Sequence, residues 1–76
     1  MEDKQIISAY SKTLKKLRME QSISQEKLAF KAGLHPTYIS LLETGKRQPS
    51  LSVIFRIAKE LGHLPNEFVK KIEEAI

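Results

Sequence analysis

The sequence predicts an all-α fold, a compact bundle of about five helices forming one domain over residues 1–76. Three observations predict it. Apolar residues recur at steps of three and four along the chain, the spacing of one helix face. Start and stop residues bracket those stretches: Ser24, Pro36, Ser50 and Pro65 stand at beginnings, and Gly33, Gly45 and Gly62 at ends. The one strand candidate, Leu51–Ile57, lies between Ser50 and Gly62, which suit helix caps and make that run helical.

The first helix is expected from Gln5 to Gln21, with residues 1–4 frayed. Ile7, Tyr10, Leu14 and Leu17 form its apolar stripe, and Lys12, Lys15 and Lys16 lie mostly off it. Ser24 is a good N-cap for the second helix, Glu26 suits the positive end of its dipole, and Ile23 can staple onto Leu28. Lys27 stands where Glu or Gln would complete a capping box. Leu28 and Ala32 share a face, and Gly33 fits a left-handed stop. Pro36 fits the first position of the third helix, where its missing N–H costs nothing. Ile39 and Leu42 are that helix's apolar positions, and Gly45 stops it. After the polar loop Gly45–Pro49, Ser50 caps a fourth helix running to about Leu61. Its core stripe is Leu51, Ile54, Ile57, Ala58 and Leu61, leaving Val53 and Phe55 outside. The last helix, about 65–75, carries Phe68, Val69, Ile72 and Ile76.

Composition narrows the function. Cysteine is absent, which excludes disulfides, zinc fingers and iron–sulfur sites and fits a reducing cytoplasm. No apolar run approaches the ~20 residues of a membrane span, and the acidic, polar start is not a signal peptide. Net charge is +4, and its distribution says more. Between Lys27 and Lys59 the bases are Lys27, Lys31, Lys46, Arg47, Arg56 and Lys59, against the single acid Glu43. A basic middle with more acidic ends predicts a positive face of the kind that meets nucleic acid.

Residues 24–44 therefore read as helix, tight turn, helix, the second helix short and exposed from Thr37 to Ser40. That geometry places a helix in the major groove of DNA. The stretch resembles the helix-turn-helix of the Xre/Cro-repressor-like family, with its lambda-repressor-like fold. Gln25, Ala29, Gly33, Ile39, Leu42, Glu43, Gly45 and the Lys46-Arg47-Gln48-Pro49 tail carry the resemblance, which extends from about Leu14 to Phe68. Within the family, GLHPTYISLLETGKRQPSL is most similar to controller proteins of restriction–modification systems. The resemblance implies a transcriptional regulator that binds a two-fold symmetric operator in double-stranded DNA. A free-standing repressor or an antitoxin-type autorepressor would read much the same.

Phosphate contacts set register, whereas contacts to base edges set specificity. Gln25 sits at a helix start whose free N–H groups suit a phosphate oxygen, the role the family gives it. Thr44, Lys46 and Arg47 follow the third helix, where the bend at Gly45 is expected to bring backbone N–H groups to phosphates. Tyr38 can reach a phosphate or a base. His35, Pro36, Thr37, Ser40 and Leu41 match the family's base-reading positions. Thr37 offers a hydroxyl, or its methyl to a thymine. Pro36 has no donor and His35 is an unusual cap, so DNA shape is expected to carry part of the recognition. The family pairs an arginine at Arg18 with a glutamate at Glu43. The charge map agrees, since an unpaired Glu43 beside the basic face would repel phosphate.

Val53, Phe55, Phe68, Val69, Ile72 and Ile76 exceed the apolar surface a short terminal helix needs for docking, and a homodimer would cover them. Such a dimer would set two third helices about 34–36 Å apart, one turn of DNA. His35 and His63 lack ligand-type neighbours, so no metal is expected; no other cofactor is expected either, and with no room for a ligand-sensing domain no small-molecule ligand is expected. Ser24–Lys27 spells the S-x-x-K of serine acylating enzymes, but its companion motifs are missing and Ser24 reads as a cap. No enzyme is expected. Two other classes fit the residues: a helical protein-interaction module, and a membrane-surface binder acting through Lys12–Arg18.

Overall fold

The computed structural model describes residues 1–76 as five helices without a strand: α1 Asp3–Glu20, α2 Gln25–Ala32, α3 Pro36–Glu43, α4 Leu51–Glu60 and α5 Pro65–Glu74. The first helix starts earlier than its apolar stripe suggests. Glu2 precedes it, and its N–H donates to Gln5 Oε1 at 2.8 Å, so Asp3 and Lys4 are helical rather than frayed. The remaining starts follow the cap residues. Ser24 Oγ accepts from Lys27 N–H at 3.0 Å, and Ser50 Oγ from Val53 N–H at 3.2 Å.

Helix α3 packs on α1 and α2; α4 packs on α2 and α5; α5 returns to α1. The core they enclose includes Leu14, Leu28, Ile39, Leu42, Ile57 and Leu61, all fully buried. Arg56 ties α4 to the end of α2 by donating to the Ala32 carbonyl at 3.3 Å. No helix is long and apolar enough to cross a membrane.

In two helices the buried set differs in part from the expected one. In α4 the inward stripe is Val53, Ile57, Ala58 and Leu61, while Leu51 is 70% exposed and Ile54 only partly buried. The helix begins at Leu51, and steps of four from Val53 keep one line against α2 and α5. In α5, Phe68 and Ile72, also four apart, face α1 and α4. Val53, Phe68 and Ile72 therefore leave the expected dimer surface: each is buried within its own chain. Phe55, Val69 and Ile76 stay exposed, joined by Leu51 and by Leu64 in the α4–α5 connection.

Candidate nucleic-acid interface

The turn between α2 and α3 is short because Gly33 takes a left-handed conformation at φ +69°. That lets Leu34 N–H reach back to the Ala29 carbonyl at 2.8 Å. His35 is then the N-cap of α3, and its Nδ1 accepts from Thr37 N–H at 3.1 Å. An acceptor Nδ1 carries no proton, so Nε2 holds the ring proton and faces outward as a donor. Pro36 occupies the first turn, leaving His35, Pro36 and Thr37 exposed. Ser40 and Leu41 are half-buried one turn on, while Ile39 and Leu42 seat the opposite face in the core. The side chains of Thr37 and Ser40 make no hydrogen bond inside the chain.

The end of α3 is closed from within. Gly45, at φ +74°, sends its N–H to the Leu42 carbonyl at 3.2 Å, and Lys46 N–H goes to Leu41 at 2.9 Å. The backbone N–H groups that the Gly45 bend was expected to bring to phosphates are therefore not those of Gly45 and Lys46. Those two N–H groups terminate the helix, and the ones without a carbonyl partner are at Arg47 and Gln48. Thr44 Oγ1 also turns inward, donating to Ser40 O at 2.9 Å. Lys46 and Arg47 extend into solvent, with the Arg47 guanidinium 5.7 Å from the Tyr38 ring centroid. Tyr38 itself is half-buried, its hydroxyl 3.5 Å from the Gln48 carbonyl.

Glu43 is saturated. Its Oε2 accepts from Arg18 Nε at 2.5 Å, and its Oε1 from Arg18 Nη2 and Gln25 Nε2, each at 3.0 Å. Arg18 Nη1 donates to the Ile23 carbonyl at 2.8 Å, so one guanidinium joins α1, the entry to α2 and α3. Hydrogen bonding to Glu43 raises the Arg18 pKa above its ordinary value against the opposing effect of burial. The charges of Glu43 and Glu26 add to that rise. Gln25, expected to face phosphate, spends one amide N–H on Glu43.

Two residues of α1 escaped functional notice in the sequence. The Tyr10 hydroxyl donates to the Arg47 carbonyl, and Ser11 Oγ lies 2.9 Å from the Leu42 carbonyl and 2.7 Å from that of Ile7. Together they fix the loop that carries Lys46 and Arg47. Burial first, and then Tyr38, raise the Tyr10 pKa, so this hydroxyl stays a donor. A tyrosine on a core stripe implies a hydroxyl needing a partner. That was the available signal. No cluster of three or more His, Asp or Glu side chains could hold a metal ion.

Comparison with known proteins places this geometry. The sequence profile described as Helix-turn-helix (HTH_3) matches residues 14–68. Control protein C.BamHI of Bacillus amyloliquefaciens is 43% identical over 61 residues, covering 79% of this chain and 75% of that one. Control protein C.MunI of Mycoplasma sp is 39% identical over 66 residues, covering 86% and 89%. The restriction-modification controller protein C.Esp1396I, solved as a tetramer in complex with its natural 35 base-pair operator, superposes with a TM-score of 0.83. It is 31% identical, with 92% of each chain covered.

Proposed function

The chain belongs to the helix-turn-helix family and is a DNA-binding transcriptional regulator; from that premise we propose that it binds operator DNA as a homodimer and controls a restriction–modification operon. One observation carries the reading: the start of α3 is exposed at His35, Pro36 and Thr37, while Ile39 and Leu42 anchor the same helix in the core. A helix held this way can enter a major groove without unpacking the domain.

Thr37 and Ser40, whose side chains have no internal partner, offer hydroxyls to base edges, with His35 Nε2–H, Pro36 and Leu41 beside them. The cations Lys46 and Arg47, and the unpaired N–H groups of Arg47 and Gln48, take phosphates. Gln25 contributes its second amide N–H. Tyr38 and Thr44 support those contacts more than they make them, because their hydroxyls already bond within the chain. The relatives named as control proteins support the operon assignment.

Self-association uses the exposed apolar side chains of α4 and α5. Leu51 and Phe55 lie four apart on α4, and Val69 is exposed on α5, with Leu64 just before that helix and Ile76 just after it. A two-fold axis through this surface would bury it and pair the two α3 helices.

Site selection from random duplex, with the full chain, tests the reading. A two-fold symmetric motif, bound more weakly as salt rises, is the expected result. Absence of duplex binding at low salt would leave an interaction module instead.

A further inference from the structure

A notch of about 400 Å³ opens where the first half of α1 meets the end of α3. Lys4, Ser8 and Lys12 line one wall, and Glu43, Thr44 and Gly45 the other. The three α1 residues are four apart, so they stand in one row, and all three are exposed. The chain's one ion pair joins Arg18 to Glu43, which leaves Lys4 and Lys12 without a partner. Glu43 does not cancel them, because its side chain is only 3% exposed and both its oxygens are taken by Arg18 and Gln25. The notch therefore presents two ammonium groups and a hydroxyl beside the DNA-facing helix.

Its register to α3 is fixed. A Cβ added at Gly45 would sit 3.1 Å from Ile7 Cγ2 and 3.4 Å from Ser11 Oγ, so the backbone there lies hard against α1. Ser11 Oγ also reaches the Leu42 carbonyl. At the same time this end of α3 is poor in donors of its own: the N–H groups of Gly45 and Lys46 and the hydroxyl of Thr44 are turned inward. A strand passing Thr44 would find free donors on α1, on the opposite wall of the notch, in addition to those of Lys46, Arg47 and Gln48.

We infer that Lys4, Ser8 and Lys12 form a second phosphate clamp, holding the backbone of the operator strand that runs past the end of α3. The clamp rests on the proposal that α3 faces duplex DNA. Phosphates already linked into that duplex reach the open, hydrated notch at high effective concentration; a free anion does not.

The test is a salt titration of the full chain on its selected operator and on random duplex. It compares wild type, Lys4→Gln/Lys12→Gln, and a control of equal charge change at exposed lysines outside the notch and the α3 face, Lys15→Gln/Lys70→Gln. Each phosphate contact contributes about 0.9 to the slope of log affinity against log salt, so the notch variant should lose about 1.8 per protomer, or about 3.6 for the dimer. Its affinity should fall alike on both duplexes, with base preference, melting temperature and the control's slope unchanged. A wild type that binds with a steep slope, and a notch variant that keeps it, would overturn the clamp and leave the α3 reading standing. A wild type that binds no duplex would overturn the α3 reading and the clamp with it. Saturable inorganic phosphate binding at Ser8 and Thr44, seen by NMR with an unchanged slope, would make the notch a free-anion site and also overturn the clamp.

Discussion

Arg18 and Glu43 meet side on, Nε to Oε2 and Nη2 to Oε1, across 25 residues of sequence. The fork geometry makes this the strongest polar link between α1 and α3. Removing the carboxylate charge leaves a mostly buried guanidinium facing an amide that can accept from it only once. Glu43→Gln should cost about 3 kcal/mol, the low side for buried pairs because Arg18 keeps some solvent contact. For a domain of this size that lowers the melting temperature by about 10 °C or more, measured by circular dichroism. An unchanged melting temperature would show the pair to be structurally idle.

Tyr10→Phe should keep the helices and weaken binding to all duplexes alike, since the lost hydroxyl anchors the Arg47 carbonyl. It should also change the alkaline response. The folded state holds the Tyr10 proton more tightly than the unfolded chain does. Its stabilising contribution is full below the ordinary tyrosine value of 10.0 and is lost as pH rises through the higher folded value. Urea midpoints of the wild type should therefore fall more steeply above that pH than those of Tyr10→Phe.

Arg47→Ala and Thr37→Ala should separate grip from reading. The first removes a cation resting over Tyr38 and should weaken all sequences together, reducing the salt slope by about 1 per protomer, or about 2 for the dimer. The second removes a side chain with no internal partner. It should leave the melting temperature in place and relax preference at particular base pairs, by about 1–3 kcal/mol at each. Competition binding against single-base operator variants distinguishes them.

Phe55→Glu and Val69→Glu should yield folded monomers in sedimentation equilibrium, because both side chains are about half exposed in a single chain. Phe68→Glu, one position from Val69, should instead unfold the protein, since Phe68 is 3% exposed. Variants at Phe55 and Val69 that remain dimeric would place the self-association surface elsewhere.

The helix caps made the fold legible. Ser24, Gly33, Pro36 and Ser50 act through neighbours two to five residues away, so their meaning lies within a short window of sequence. The faces of α4 were less legible. Leu51, Val53, Ile54, Phe55 and Ile57 are apolar all round, and only packing against α2 and α5 selects Val53 over Leu51. The site divided in the same way. Exposure of Thr37 follows from the local pattern, whereas the Tyr10–Arg47 bond spans 37 residues, so the local sequence signals a hydroxyl in need of a partner without naming it. The inward turn of Thr44 was hidden for another reason: its hydroxyl can serve its own helix or a ligand, and sequence does not choose between them.

The hydroxyls of Thr37 and Ser40 on α3 hold nothing within the chain by hydrogen bonding. Thr37 and Ser40 can therefore be exchanged with little mechanical consequence, while His35, Gly45 and Glu43 keep the scaffold in shape. On the proposed reading of Thr37 and Ser40 as base contacts, such a division would let new target sites be acquired one substitution at a time, without each step passing through a poorly folded ancestor.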